Sequence, residues 1–359
     1  MNNLFNELER LLDVITFDHF NKISILQARS CFPLLWKYGR GCQGGVNVNY
    51  FDISNNNFRN HDQFVFFPSD NEYVFVLPRA LTAAAGCSAI FKMIWDRGKQ
   101  VSQDFASKII GKVIEKSILI SCKKHNLHVW ENLSYYADGK RLEFDFAVRE
   151  GQEIILFETK AKSLTSKART VNVMAFVSDY TKSFLSMLRQ VVRHELNIKR
   201  GRTPLTEIGE DLHVLRITKI TVSPLCYGPV SDHVLVGSFF NSMSNAILCS
   251  ATGNIKDDIA AEEFNEKMNL IKEDIGELWK MDNQINFHNY FIDIFWLDLG
   301  GLLYLLYRGN SVADSLSPLK SITFSTQDFW TEAACAETMG LTNEKWRPFQ
   351  VDNPSKISE

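Results

Sequence analysis

The chain of 359 residues has room for roughly two hydrophobic cores, and its 45% hydrophobic and 23% charged residues are those of a soluble globular protein. A formal net charge of −3 excludes a uniformly basic nucleic-acid binder, so any phosphate-binding surface has to be local. The seven cysteines, Cys31, Cys42, Cys87, Cys122, Cys226, Cys249 and Cys335, are odd in number and form no Cys-x-x-Cys pair. That spacing excludes a zinc ribbon or dithiol redox site and fits a reducing cytoplasm.

In chain order, Met1 to Leu12 predicts an amphipathic helix rather than a signal peptide. Gly39 to Asn60 is rich in Gly and Asn, and its Gly39 to Gly45 segment lacks the Gly-Lys-Ser/Thr ending of a phosphate-binding loop. Strand-like runs at Gln63–Pro68 and Tyr73–Pro78 precede an Ala-rich helix over Arg79–Trp95. Asp104 to His125 carries a helical apolar stripe through Ile109, Ile110, Val113, Ile114, Ile118 and Leu119. Three strands are expected next, at Leu127–Tyr136, Leu142–Arg149 and Glu153–Lys160, the last two joined by the hairpin residues Glu150-Gly151-Gln152. A basic stretch from Lys162 to Asn172 leads into a helix over Asp179–Lys199, and His213–Val222 and His233–Phe240 are expected as strands. His125 and His128 lack acid or Cys partners at zinc-like spacing and read as ordinary histidines.

Beyond Asp257 the expectation is mainly helical. Glu262–Met281 is acidic and amphipathic. The apolar stretch Tyr290–Tyr307 contains Asp293, Asp298 and a Gly300-Gly301 break, so it predicts a buried helix or helix pair rather than a membrane span. A short strand at Ser321–Ser325, a helix at Trp330–Gly340 and a disordered end at Asn353–Glu359 complete the chain. The expected organisation is an α+β region over 1–100, a mixed α/β core over 101–245 and a mainly helical region over 246–359.

The chemistry concentrates in the middle. In the Glu153–Lys160 strand, Ile154, Leu156, Glu158 and Lys160 share one face, and Ile155 and Phe157 the other. Both faces begin apolar, as in a central strand covered on each side. Two charged groups at its end are costly unless they pair, bind a cation or meet water. If the hairpin turns near Gly151, Asp145 of the preceding strand lies opposite Lys160 or its immediate neighbours, and Glu115 on the preceding helix can add a third carboxylate. Hard carboxylate oxygens suit Mg²⁺, which takes one or two protein carboxylates and leaves places for water and phosphate. Such an ion, with an ammonium beside it, meets the needs of phosphodiester hydrolysis, whose substrate is itself an anion.

Glu143-Phe144-Asp145 followed by Glu158-Thr159-Lys160 resembles the PD-(D/E)xK signature of restriction-endonuclease-like nucleases. Gly111 to Glu115 is similar to that family's first core helix, and Phe144 stands where the eponymous Pro would be. The resemblance, spanning about Asp104 to Phe240, implies an α/β fold with a restriction-endonuclease-like core, a central mixed sheet flanked by helices. It implies Asp145 and Glu158 as metal ligands, Glu115 assisting them, Thr159 as a carbonyl ligand and Lys160 as the water-activating residue. Gln190 falls where many members place a polar residue on the helix after the motif. Mg²⁺, with Mn²⁺ as an alternative, is the implied cofactor, DNA the implied substrate, and restriction or anti-phage defence a common setting.

From Lys160 to Arg202 basic residues far outnumber the acids Asp179 and Glu195. Lys162, Lys167, Arg169, Arg189 and Arg193 are therefore expected to contact phosphates, and the acidic helix after Asp257 to face away from DNA. Flanks without a motor or a recognisable reader suggest control by a protein partner or a homo-oligomer, with no membrane. Two rival functions use the same scaffold: a nucleic-acid-binding module that does not cut, and a protein–protein adaptor.

Overall fold

A computed structural model describes residues 2–15, 20–39, 64–124, 127–162, 164–165, 168, 172–205, 216–225, 227, 231–243, 246–251, 253–282, 285, 290–326 and 328–347. The expectations placed on residues 40–63, on His213, on Asn353–Glu359 and on the phosphate contacts Lys167 and Arg169 lie outside these residues.

Helix α1 (Asn2–Val14) leads to β1 (Asn21–Ser24), and α2 (Ile25–Cys31) and α3 (Pro33–Tyr38) follow. Ser24 starts α2 with a capping box: its Oγ accepts from the Gln27 amide at 3.1 Å, and the Gln27 side chain reaches back. Strands β2 (Phe66–Pro68) and β3 (Tyr73–Val76) join β1 in a small antiparallel sheet of order β1-β3-β2. Helices α4 (Arg79–Lys99) and α5 (Gln103–Lys124) then run into the central sheet.

That sheet has five strands, β4 (His128–Ala137), β5 (Lys140–Glu150), β6 (Glu153–Thr159), β7 (Arg216–Ser223) and β8 (Ile294–Asp298), in sequential order. The β4–β5 and β5–β6 pairs are antiparallel; β6–β7 and β7–β8 are parallel. Asp138 and Gly139 at positive φ turn the first hairpin, and Gly151 at φ 59° opens the two-residue turn of the second, where Glu150 pairs with Glu153. Between β6 and β7 lie α6 (Val173–Tyr180), a π turn (Thr181–Leu185) and α7 (Ser186–Lys199); between β7 and β8 lie α8 (His233–Met243) and α9 (Ile255–Met281). Helices α10 (Leu299–Arg308), α11 (Val312–Lys320) and α12 (Phe329–Thr338) follow β8.

Helices cover both faces of the sheet. On the first face, Phe146, Val148, Ile155, Phe157, Ile220 and Phe295 share a core with residues of α1, α4, α5, α10, α11 and α12. On the second, Ile154, Leu156, Ile217, Ile294 and Trp296 pack with α6, the π turn, α7, α8 and α9. The segments expected as 1–100 and 246–359 thus meet in one core against the central strands, and the sheet takes its fifth strand from beyond residue 245.

Three expected elements differ. His233–Phe240 is helix, not strand; Asp232 caps it, Oδ1 accepting from the Leu235 amide at 2.8 Å. Tyr290–Tyr307 is a short 3₁₀ turn, the buried strand β8 and helix α10, rather than a helix or helix pair. A strand buried on both faces has no alternation to set it apart from a buried helix. Asp298 ends that strand and caps α10, its Oδ1 accepting from Gly301 N at 2.7 Å. A side chain at Gly301 would strike the Phe329 ring at 2.7 Å, so close packing accounts for this glycine. Asp293 bonds Arg216 at 2.6 Å and Lys320 at 2.8 Å. Ser321–Ser325 forms no strand; its buried residue, Ile322, joins the first-face core from an irregular segment. Among the described residues no helix is long and apolar enough to cross a membrane.

Candidate active site

The site begins with a break in strand alternation. Leu142 and Phe144 pack on the second face, whereas Phe146 and Val148, of the same parity, pack on the first. In β4 the matching switch separates Val129 from Leu133 and Tyr135. Between these runs stand Asp145 and Asn132, flanked by the pairs Glu131–Phe146 and Leu133–Phe144, with Asn132 at φ 50°. Left-handed backbone at a non-glycine residue resets the face that each strand presents. Asp145 sits at that reset and belongs to neither core.

Its side chain turns to the end of β6. The ladder reaches Phe146–Phe157, and the next step sets Asp145 beside Glu158. Asp145 Oδ2 accepts from the Thr159 amide and from Thr159 Oγ1, each at 2.8 Å. Both bonds fall on Oδ2, and among the described residues no donor bonds Oδ1. Lys160 keeps the chain against β7, its amide donating to the Val222 carbonyl at 3.0 Å.

Glu158 is the least comfortable of these groups. It is 2% exposed, and among the described residues its Oε2 is buried without a hydrogen-bond partner. Burial first, then the Asp145 charge, pushes its carboxyl well above the usual glutamate range, and the Lys160 ammonium opposes the shift only in part. Burial also raises Asp145, against the two Thr159 bonds and Lys160. Glu115, half-buried on α5 beside the stripe of Ile114 and Ile118, is raised by burial and then by Asp145. The four expected residues therefore act on one another electrostatically where the middle of β5 meets the end of β6.

A buried carboxylate oxygen with no donor, next to a second carboxylate, is stabilised by a cation. Among the described residues no three Asp, Glu, His or Cys side chains close tightly enough to enclose a metal ion by themselves. The donor set fits an ion that takes two carboxylates and fills its other places with water or substrate oxygens.

The remaining expected residues divide. Gln190 donates from Nε2 to the Glu143 carbonyl at 3.2 Å, which ties α7 to the strand carrying Asp145. Lys162 is committed to Asp179 at 2.8 Å. Arg193 pairs with Asp138 at 3.7 Å, and its charge, with those of Arg189 and Arg200, favours the ionised form of Asp274 on α9 against the burial that raises it. Lys182 pairs with Glu263 at 3.3 Å and Arg200 with Glu277 at 3.0 Å. The acidic helix thus lies on the basic one and neutralises much of it, which accounts for a strongly basic segment in a chain of net charge −3.

Asp179 and Glu195, few among the basic residues around them, are the buried anchors of that segment. Asp179 accepts from Thr165 N and Oγ1 at 2.7 Å as well as from Lys162. Burial opposes its ionisation, yet these bonds hold its carboxyl below the usual aspartate range. With Tyr227 Oη donating to the Lys162 carbonyl at 3.0 Å, Asp179 fixes the chain leaving Lys160. The signal in the sequence was an acid alone among many bases.

Compared with protein-family models, curated proteins and solved structures, the chain has no match.

Proposed function

We propose that the chain is a metal-dependent nuclease with a restriction-endonuclease-like core, cutting phosphodiester bonds of DNA with Mg²⁺ or Mn²⁺. The observation that carries this reading is the buried Glu158 Oε2, without a donor among the described residues, beside Asp145 and Lys160. A mixed sheet with an antiparallel hairpin leading into parallel strands supports it. DNA is preferred to RNA on the motif resemblance alone, and a role in restriction or anti-phage defence rests on the same ground.

Asp145 and Glu158 would hold the ion, which when bound polarises a phosphoryl oxygen and acidifies water. The chain's own groups do the rest. Thr159 fixes the Asp145 carboxylate through Oδ2 and leaves Oδ1 free to bind. Lys160 presents its ammonium to the phosphate, where negative charge builds as water attacks. Glu115, whose affinity for a proton is raised, takes the proton that the attacking water gives up. Gln190 holds the Asp145 strand in place through its bond to Glu143.

Supercoiled plasmid incubated with the full chain tests the reading. Cutting is expected with Mg²⁺, none with EDTA, and Lys160→Ala should cut roughly a hundredfold more slowly. Equal cutting by Lys160→Ala, or cutting in EDTA, would overturn it. Binding of plasmid without cutting would instead favour a non-cleaving module.

A further inference from the structure

Helices α7 and α9, with the π turn that precedes α7, run side by side with opposite charges matched along their seam. Lys182 meets Glu263 at one end and Arg200 meets Glu277 at the other, at 3.3 and 3.0 Å. Both helices advance in the same direction between these pairs. At equal rise per residue, Arg189, seven residues past Lys182 and eleven before Arg200, falls between the levels of Glu266 and Leu270 on α9. Met268 is buried in the second-face core and Glu266 and Asn269 are exposed, which leaves Lys267 as the half-buried polar group in that span.

Here the matching of charges fails. A cation on α9 meets a cation on α7, and Lys160 approaches from the end of β6. The acid one turn earlier, Glu263, is engaged by Lys182. Arg189 Nε is buried and, among the described residues, has no hydrogen-bond partner. Burial, and the charges of Arg189 and Lys160, hold the Lys267 ammonium below the usual lysine range, against Glu266 and Glu263. Arg189 shares Asp274, further along α9, with Arg193 and Arg200, and Glu266 is the acid beside Lys267, so three cations gather here against fewer acids close by.

We propose that Arg189 and Lys267, with Lys160, form an anion seat next to the carboxylates that takes a backbone phosphate of a nucleic-acid strand. The seat rests on the nuclease reading for the identity of its ligand. Arg offers planar paired donors and Lys a point charge, a combination suited to phosphate oxygens. The acidic helix α9, which its composition would turn away from DNA, contributes one of the groups that hold it. Lys160 links the two sets, acting on the carboxyls of Glu158 and Asp145 and on the ammonium of Lys267.

The test is binding of a short fluorescein-labelled DNA duplex to the full chain, read by anisotropy in EDTA over graded salt. Lys267→Gln should weaken binding about tenfold at moderate salt and flatten the log–log salt slope by about 0.9, one phosphate contact. Lys267→Arg should stay near wild type, and so should Lys256→Gln, which alters an exposed cation in the first turn of α9. Wild-type affinity and slope in Lys267→Gln, an equal loss in Lys256→Gln, or no retention of duplex by the wild type would overturn the seat. Cutting assayed in parallel separates the two proposals. Mg²⁺-dependent cutting with an unchanged Lys267→Gln slope removes the seat alone. Lys267-dependent binding without cutting keeps the seat and removes the nuclease reading.

Discussion

Asp145→Asn should lower Mg²⁺-dependent DNA cutting by roughly a thousandfold, the order of rate set by several kcal/mol of lost charge stabilisation. The same substitution should leave the melting temperature nearly unchanged. An asparagine carbonyl can still accept from the Thr159 amide and hydroxyl, the two 2.8 Å bonds that place this side chain, so geometry survives and charge is lost. Asp145→Ala would be a poorer probe. It orphans both Thr159 donors, at a cost of about 1–3 kcal/mol for each group left unpaired in a buried setting. Nicking rates and thermal melts on the same preparations check the prediction. A folded Asp145→Asn chain that cuts at the wild-type rate would remove this carboxylate from the chemistry.

The largest expected loss of stability lies away from the site. Lys219 on β7 and Glu195 on α7 are 2% and 5% exposed and bonded at 2.8 Å. Tyr290 also donates to Glu195 Oε2, and the Lys219 ammonium lies 4.1 Å from the centre of the Tyr290 ring. This network roots α7, the carrier of Arg189 and Gln190, onto the sheet. Glu195→Leu strands a buried ammonium and should destabilise the fold by about 3–5 kcal/mol. Adding Lys219→Met removes the stranded charge and should restore most of that loss. Urea-unfolding midpoints of the two single variants and the double variant decide the matter. Additive losses in the double variant would mean that the two charges stabilise the fold independently.

Much of the site was legible because short-range rules governed it. Gly151 and the alternation of β6 predict the hairpin, and the hairpin sets Asp145 beside Glu158, two residues short of the expected Lys160. The stripe on α5 fixes which side of that helix Glu115 occupies. Long-range choices were less visible. Charge counting marked Lys162, Arg189 and Arg193 as phosphate contacts, but the packing of α9 on α7 decides which cations remain open. Lys267 sits in an acidic helix, where composition hides it. Full burial erases the period of β8, so its sequence suits a buried helix as well as a strand. Val234, Val236, Phe239 and Phe240 suit a strand, but Asp232 caps the segment as a helix.

Thermal unfolding of wild type and Glu158→Gln across pH, in EDTA and in millimolar Mg²⁺, bears most directly on the cation site. The folded state binds the Glu158 proton more tightly than the unfolded chain does. Its contribution to stability is therefore fully present below the ordinary glutamate range and is lost as pH rises toward the raised value. In EDTA above that window Glu158→Gln should melt higher than wild type. Mg²⁺ should then raise the wild-type midpoint, by binding the folded state alone, and leave the variant where it was. Equal Mg²⁺ shifts in both proteins, or no shift in wild type, would contradict a cation held by Glu158 and Asp145.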